Sequence, residues 1–538
     1  TTRVHGITNS DWHIVLGGDG YKPQIDPRDP NIVYAQYQYG GLARYDRRTQ
    51  ERVFLTPQPP AGEPAYKWNW NTPLLISPHN PDRLYYAAEY LFASNDRGDS
   101  WEIISPDLTR QVDRNTLEVM GRVWSVDAVA KNDSTSIYGA AIALSESPVT
   151  PGLIYVGTDD GVISVTENNG ETWRRTEAVS GVPQMTLVED IIASVHDADV
   201  AYAVFDNHKR GDHKPYVFRT DDRGVSWREI SGDLPETGAA HTIAEDHVDP
   251  NLLFVGTEFG LFYSRNGGEN WTQLKTKFPT ISVRDLEIQR RENDLVVGTF
   301  GRGVYVLDDY SPLRADADKV AEAEATLFPV RDAWAYMEGD LWGGRGGAKA
   351  SNGDDFWVAE NPPFGAVFTY VLRDGLQSLF DTRRKRENKI KEDGGDTPYP
   401  TWDELRSEDR EDEPAILITI TDTAGNTVRR FTAPHTEGLH RVAWDLRYSA
   451  PDPVTLSKGE TTNLDQGPVG PMALPGVYTA TIAKRINGVV TALSEPQSFT
   501  VKALELSPET TGDRAALLAF QQETADTARA VLGARDAS

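Results

Sequence analysis

Between about residues 30 and 310, short apolar runs alternate with polar turns at strand-like spacing. Leu84-Tyr85-Tyr86, Leu153-Ile154-Tyr155 and Leu252-Leu253-Phe254-Val255 are such runs. Each follows a turn written in Pro, Asn or Asp, and each leads through a Gly turn into a further strand. The frame starts at Pro30, Pro81, Pro151 and Pro250, with degenerate copies at Ala198 and Glu292. In chain order these anchors stand 51, 70, 47, 52 and 42 residues apart. The 70-residue interval holds an insertion from Ser105 to about Ser134, rich in Asp, Arg and Asn. Four strands in every 40 to 50 residues predict the blades of a β-propeller, about six of them over residues 1–310.

One phrase closes four of the units. It reads Ser94-Asn95-Asp96-Arg97-Gly98-Asp99-Ser100-Trp101 and returns at Thr166–Trp173, Thr220–Trp227 and Ser264–Trp271. The pattern is Ser/Thr-x-Asp/Asn-x-Gly-x-Ser/Thr/Asn-Trp. Gly98, Gly170, Gly224 and Gly268 supply positive φ for a hairpin turn. Asp96, Asn168, Asp222 and Asn266 can accept backbone N–H groups across it. Trp101, Trp173, Trp227 and Trp271 add a large apolar contact on the hairpin. These residues are read as structural. A calcium loop is disfavoured, because no acidic residue recurs at the end of a binding loop.

Beyond Asp309 the pattern changes. Residues 311–326 are rich in Ala, Asp and Glu and read as a linker. Residues 327–502 carry strand runs such as Ala366–Leu372, Ala415–Ile420, Gly438–Leu446, Gly476–Ile482 and Gln497–Val501, with a hairpin turn at Asp422-Thr423-Ala424-Gly425-Asn426. They predict an immunoglobulin-like β-sandwich. Inside it, residues 381–413 are densely and mixedly charged, a solvated helix or a mobile loop. Residues 503–538 form a tail in which about 508–532 have helical spacing. The fold class is therefore all-β: a propeller, a sandwich and a short C-terminal helix.

Composition narrows the classes. The chain has 538 residues, 39% hydrophobic, with 13 Trp and no Cys. Disulfides and thiolate metal sites are excluded. No run approaches 18 apolar residues, so no membrane span is expected. The formal net charge of −27 disfavours nucleic acid and anionic membrane as partners. The chain starts at Thr1 without a charged-then-apolar leader, which suggests a processed or truncated start.

The repeated phrases, the Asp249–Phe262 type of strand and the ending Gly298-Thr299-Phe300-Gly301-Arg302-Gly303-Val304-Tyr305-Val306-Leu307-Asp308-Asp309 resemble Asp-box (BNR) repeat proteins. The nearest likeness is to large bacterial secreted members with a sortilin-type propeller, often labelled glycosyl hydrolases. It covers about residues 10–310 and continues loosely through Asn361–Ala366 and Leu474–Tyr478. Members of that group carry further blades ahead of Gly17-Gly18-Asp19-Gly20 and more helix after the sandwich. Six units are enough to close a ring, since four to eight blades are common; the resemblance implies instead a ring that is incomplete in this chain. Processing, an incomplete chain or a partner chain would each account for it.

Aligning the repeats places the turns between second and third strands on the face opposite the Trp-terminated phrases. Those turns carry Tyr37 and Tyr39, Glu89 and Tyr90, Asp159 and Asp160, Asp206, Glu258 and Phe259, then Phe300 and Arg302. Aromatic faces and carboxylates on one rim suit a sugar ligand, and two opposed carboxylates would suit a glycosidase. Asp159, Asp160 and Glu258 are the first catalytic candidates, Glu89 and Asp206 the next. The same acids could simply cap hairpins. Tyr37, Tyr39, Tyr90, Phe259, Phe300 and Arg302 are the candidate ligand contacts. A sialidase is disfavoured: Arg122, Arg210 and Arg302 are the only rim-like arginines, and no Arg-Ile-Pro motif occurs. His208 and His213 share one Asp-containing loop, read as a solvated loop rather than a metal site. No phosphate loop, nucleophile elbow or His-Glu-x-x-His helix is present, so no cofactor is expected.

Three functions fit. The leading expectation is a secreted, extracellular or periplasmic recognition or scaffold protein whose propeller binds a protein or glycan without catalysis. The alternatives are a glycoside hydrolase using paired rim carboxylates, and a structural subunit of an extracellular assembly in which another chain completes the propeller.

Overall fold

The computed structural model describes residues 7, 11–129, 138–338, 359–452, 469–504 and 513–536. It divides into two compact units: residues 13–314, and residues 315–538 together with the first twelve.

The first unit is the propeller. Its sheets cover residues 24–54, 74–103, 141–176, 187–229, 240–273 and 283–307. Every sheet is an antiparallel meander; sheets 1 to 5 have four strands and sheet 6 has three. Second strands such as Leu84–Ala87, Ile154–Thr158, Ala201–Asp206 and Leu253–Thr257 are buried at every position. A strand covered on both faces by neighbouring sheets needs a nearly continuous apolar run, and these sequences supply it up to a polar last residue, Thr158, Asp206 or Thr257. Sheet 6 differs. Leu295 and Val297 are buried, whereas Val304 and Val306 are exposed, so one face is covered and the other open.

The Trp-terminated turns are built as their residue types require, and reach further than the sequence implied. In the first, Ser94 Oγ accepts from Gly98 N at 2.8 Å and Asp96 Oδ1 accepts from Ser100 N at 2.9 Å. The Ser100 hydroxyl bond to Asp96 helps hold that carboxyl down at about 2. The same bonds recur at Thr166/Asn168, Thr220/Asp222 and Ser264/Asn266. Gly170 has φ +95°, and a Cβ there would collide with the Ile104 carbonyl of the preceding sheet. Three of the four tryptophans hook successive sheets together rather than only lying on their own hairpins; Trp227 Nε1 makes no such bond. Nε1 of Trp101, Trp173 and Trp271 donates to the carbonyls of Leu55, Ile104 and Ile230, each just beyond the outer strand of the previous sheet, at 2.7, 3.0 and 2.9 Å.

The second unit is a β-sandwich. One sheet orders Ala325–Leu327, Ala366–Leu372 and Gly438–Trp444. The other orders Ala333–Ala335, Gln497–Ala503, Gly476–Ile486, Ala415–Asp422 and Thr427–Ala433, with Val489–Ala492 on the long strand. Phe368, Tyr370, Ile416, Ile418, Trp444 and Phe499 share its core. The charged insertion is two capped helices, Leu379–Glu392 and Trp402–Arg410. Arg383 ties them, meeting both Glu408 carboxylate oxygens at 2.7 and 2.9 Å. The terminal helix spans Arg514–Asp536. Among the described residues no helix is long and apolar enough to cross a membrane.

Candidate active site on the propeller rim

A column of β-bulges builds the site. In sheets 3 to 6 the pairing of the first and second strands skips one residue of the first strand: Ile142, Glu189, His241 and Arg284. A bulge leaves its extra residue unpaired and re-aims the side chain. Here four sheets repeat the device at one level, and Ile142, Glu189 and Arg284 all line one cavity of about 660 Å3. Asn69, Trp70, Asp159 and Asp206 close its walls. A second cavity of about 600 Å3 is lined by Glu258, Phe259, Ser282 and Phe300. His208 and Arg284 belong to both, so the two form one cleft along the rim.

The electrostatics of the cleft come from burial set against a few cations. Burial pushes the Glu189 carboxyl up to about 7, and Arg284 opposes that rise. Arg284 Nη2 lies 3.7 Å from Glu189 Oε1, and its Nη1 lies 4.0 Å from Glu258 Oε2. One planar guanidinium therefore separates the two carboxylates, whose facing oxygens are at most roughly 10 Å apart. Glu258 is half exposed and accepts from Ser282 Oγ at 3.1 Å and from His241 Nε2 at 2.9 Å. His241 is buried, and that burial pulls its imidazole toward the neutral form.

The rim acids read from the sequence separate into roles. Asp159 lines the cleft; Oδ1 accepts from Gly139 N and Ala140 N, both at 2.9 Å, and Oδ2 from Asn69 Nδ2 at 2.9 Å. Burial outweighs those donors and raises it to about 6. Asp160 is fully buried and clips its turn, accepting from Thr158 Oγ1 at 2.5 Å and Arg110 N at 2.8 Å. Glu89 holds the Lys67 backbone N–H at 2.6 Å and lines neither cavity. Asp206 lines the cleft but is engaged by His208, through its backbone N at 2.8 Å and its Nδ1 at 2.6 Å.

The aromatic candidates divide likewise. Phe259 and Phe300 line the cleft. Tyr39 stands edge-on to Trp70 at 5.0 Å and supports that cleft residue. Tyr37 fills the space beside Gly41, and Tyr90 packs on Tyr66 at 6.2 Å. Arg302 is exposed on the Phe300 turn outside both cavities. His208 and His213 face the second cavity, and among the described residues no group of three or more His, Asp or Glu is arranged for a metal ion.

Glu189, His241, Arg284 and Trp70 escaped the sequence reading. A signal for three of them existed. Glu189 and His241 stand nine residues before the anchors Ala198 and Pro250, as Ile142 does before Pro151, and Arg284 stands eight before Glu292. Three polar residues recur at that register, each next to a second polar residue, Asp190, Thr242 or Asp285, so the signal was the register and not an isolated polar position.

No protein-family model matches the chain. The oligoxyloglucan-reducing end-specific xyloglucanase of Emericella nidulans is 24% identical to it over 237 residues, 41% of this chain and 25% of that protein. A xyloglucanase of a Paenibacillus species is 24% identical over 337 residues, 49% of this chain and 32% of that protein. The chain thus spans a quarter to a third of the length of these curated relatives. Among solved structures, an ancestral GH74 enzyme gives a TM-score of 0.40 at 15% identity, covering 54% of this chain and 36% of that one. A likeness so distant speaks to neither site nor activity. The expectation of a non-catalytic scaffold is corrected by the curated relatives, both xyloglucanases by name. The rim agrees in one physical respect: burial raises the Asp159 carboxyl to about 6 and the Glu189 carboxyl to about 7, above the range of a solvated carboxylate.

Proposed function

We propose that this chain is a secreted glycoside hydrolase of the Asp-box type with a sortilin-type propeller, acting on xyloglucan or a related β-glucan. The observation that carries the reading is the pair Glu189 and Glu258 on either side of Arg284, with Glu189 protonated near neutrality. Hydrolysis needs one carboxylic acid and one carboxylate across a glycosidic bond, and both known spacings fall within the upper bound set here. Glu189 gives its proton to the leaving glycosidic oxygen as the C–O bond breaks. Water bonds to the anomeric carbon and loses its proton to Glu258. His241 and Ser282 hold Glu258, while Trp70, Phe259 and Phe300 offer apolar faces to sugar rings.

The test is release of reducing ends from xyloglucan, cellulose and mixed-linkage glucan. The expected result is activity on at least one. Glu189→Gln and Glu258→Gln should each lower kcat by about 100-fold or more, as loss of a general acid or base does. Asp160→Asn should change stability and leave kcat near that of the parent. An inactive parent, or full activity in both glutamine variants, would overturn the proposal.

A further inference from the structure

The groups around His241 press on both ring nitrogens, and the carboxylate of Glu258 decides which one carries the hydrogen. His241 Nε2 is 2.9 Å from Glu258 Oε2, and a carboxylate can only accept there, so Nε2 carries the hydrogen. Nδ1 is then the bare acceptor; Arg284 Nη1 stands 3.2 Å from it and 3.0 Å from Nε2, and with hydrogen on Nε2 only Nδ1 can accept from the guanidinium. On the same side Asp206 Oδ2 faces Nδ1 at 3.6 Å, too far for a hydrogen bond and wrongly polarised toward a lone pair. Asp206 is itself held by His208, and Arg284 also approaches Glu189. Four sheet elements therefore present charge to this ring: Asp206 with His208 from sheet 4, Glu258 from the sheet 5 turn, Arg284 from sheet 6, and Glu189 through Arg284.

We propose that His241 is a positioning residue with two settings. The neutral ring holds Glu258 by Nε2–H and Arg284 by Nδ1. A second proton, on Nδ1, turns that nitrogen into a donor for Asp206 and expels Arg284 toward Glu189 and solvent. The site is then in its working arrangement only while His241 is neutral. Burial and Arg284 favour that form, while Glu258 and Asp206 favour the charged one. The catalytic meaning of this device rests on the hydrolase reading above; the device itself does not.

The ring signals of the 15N-labelled full chain test it, with the His241 resonances assigned by their loss in His241→Gln. The expected result at pH 7.5 is a neutral ring with hydrogen on Nε2, gaining hydrogen at Nδ1 as pH falls. Asp206→Asn should move that midpoint down and Arg284→Gln should move it up. Hydrogen on Nδ1 at pH 7.5, or a midpoint indifferent to both variants, overturns the proposal. Activity supplies a second arm. His241→Ala should lose about 100-fold in kcat, as misplacing a catalytic group does, and His241→Gln, which keeps a donor and an acceptor, should recover part of it and shift the acid limb of the pH profile. Equal losses in both variants with unmoved pH profiles count against it. If the parent cleaves no polysaccharide, the hydrolase reading fails and the ring tautomer still decides this one.

Discussion

Replacing Glu189 by Gln should stabilise the propeller, and only at one end of the pH scale. Burial raises this carboxyl from an ordinary 4.5 to about 7. A displacement of that size corresponds to about 3 kcal/mol of preference for the protonated form in the folded state. The unfolded chain releases the proton near 4.5 and the folded chain near 7. Folding stability is therefore full below 4.5, falls between 4.5 and 7, and stays low above. The amide in the Glu189→Gln variant cannot ionise and escapes that loss. The melting temperatures of parent and variant should coincide at pH 4 and diverge through pH 7. At pH 8 the variant should lead by roughly 5 °C for a unit of this size. Differential scanning calorimetry from pH 4 to 9 reads it directly. A difference flat with pH, or a variant less stable at pH 8, would refute the reasoning that Glu189 is held protonated by burial. The same substitution should lower kcat by about 100-fold or more, so one residue would show stability given up for chemistry.

Three further outcomes are expected. Gly170→Ala forces a side chain into left-handed backbone and against the Ile104 carbonyl, and should cost about 1–3 kcal/mol in urea denaturation. Asp246→Ala strips the buried partner from Arg314, which it binds at 2.7 and 2.8 Å, and from the Tyr310 hydroxyl at 2.6 Å; a loss of about 3–5 kcal/mol should appear as an earlier denaturation midpoint. Trp70→Ala removes the aromatic face that Tyr39 supports at the cleft wall, and should raise KM on a polysaccharide substrate by about 10-fold, equivalent to about 1.4 kcal/mol, with kcat less affected.

The turns show where a sequence speaks plainly. A Gly needing positive φ, an Asn or Asp accepting N–H groups across the turn, and Ser or Thr bracketing them are local requirements met within a few residues. Second strands are legible for a related reason: burial on both faces makes them mostly apolar, with polar residues such as Thr158, Asp206 and Thr257 confined to their ends. The cleft was legible in part. Asp159, Glu258, Phe259 and Phe300 sit on rim turns that repeat alignment could place. Which of the rim acids hold a turn and which face the cleft was not legible. Asp159 and Asp160 are adjacent, and only the fold turns one toward Asn69 and the other into its own hairpin.

The sequence by itself thus determined the blades, their turns and the all-β class, because those follow from contacts a few residues apart. Only the tertiary structure decided that Glu189, His241 and Arg284 converge, since a bulge is a fault in pairing between strands and its side chain meets others only when sheets stand side by side. It likewise decided that Trp101, Trp173 and Trp271 hook one sheet to the previous one, and that the sixth sheet ends at three strands with an open face. Each of these depends on groups many tens of residues apart, whose meeting is arranged by packing rather than by local preference.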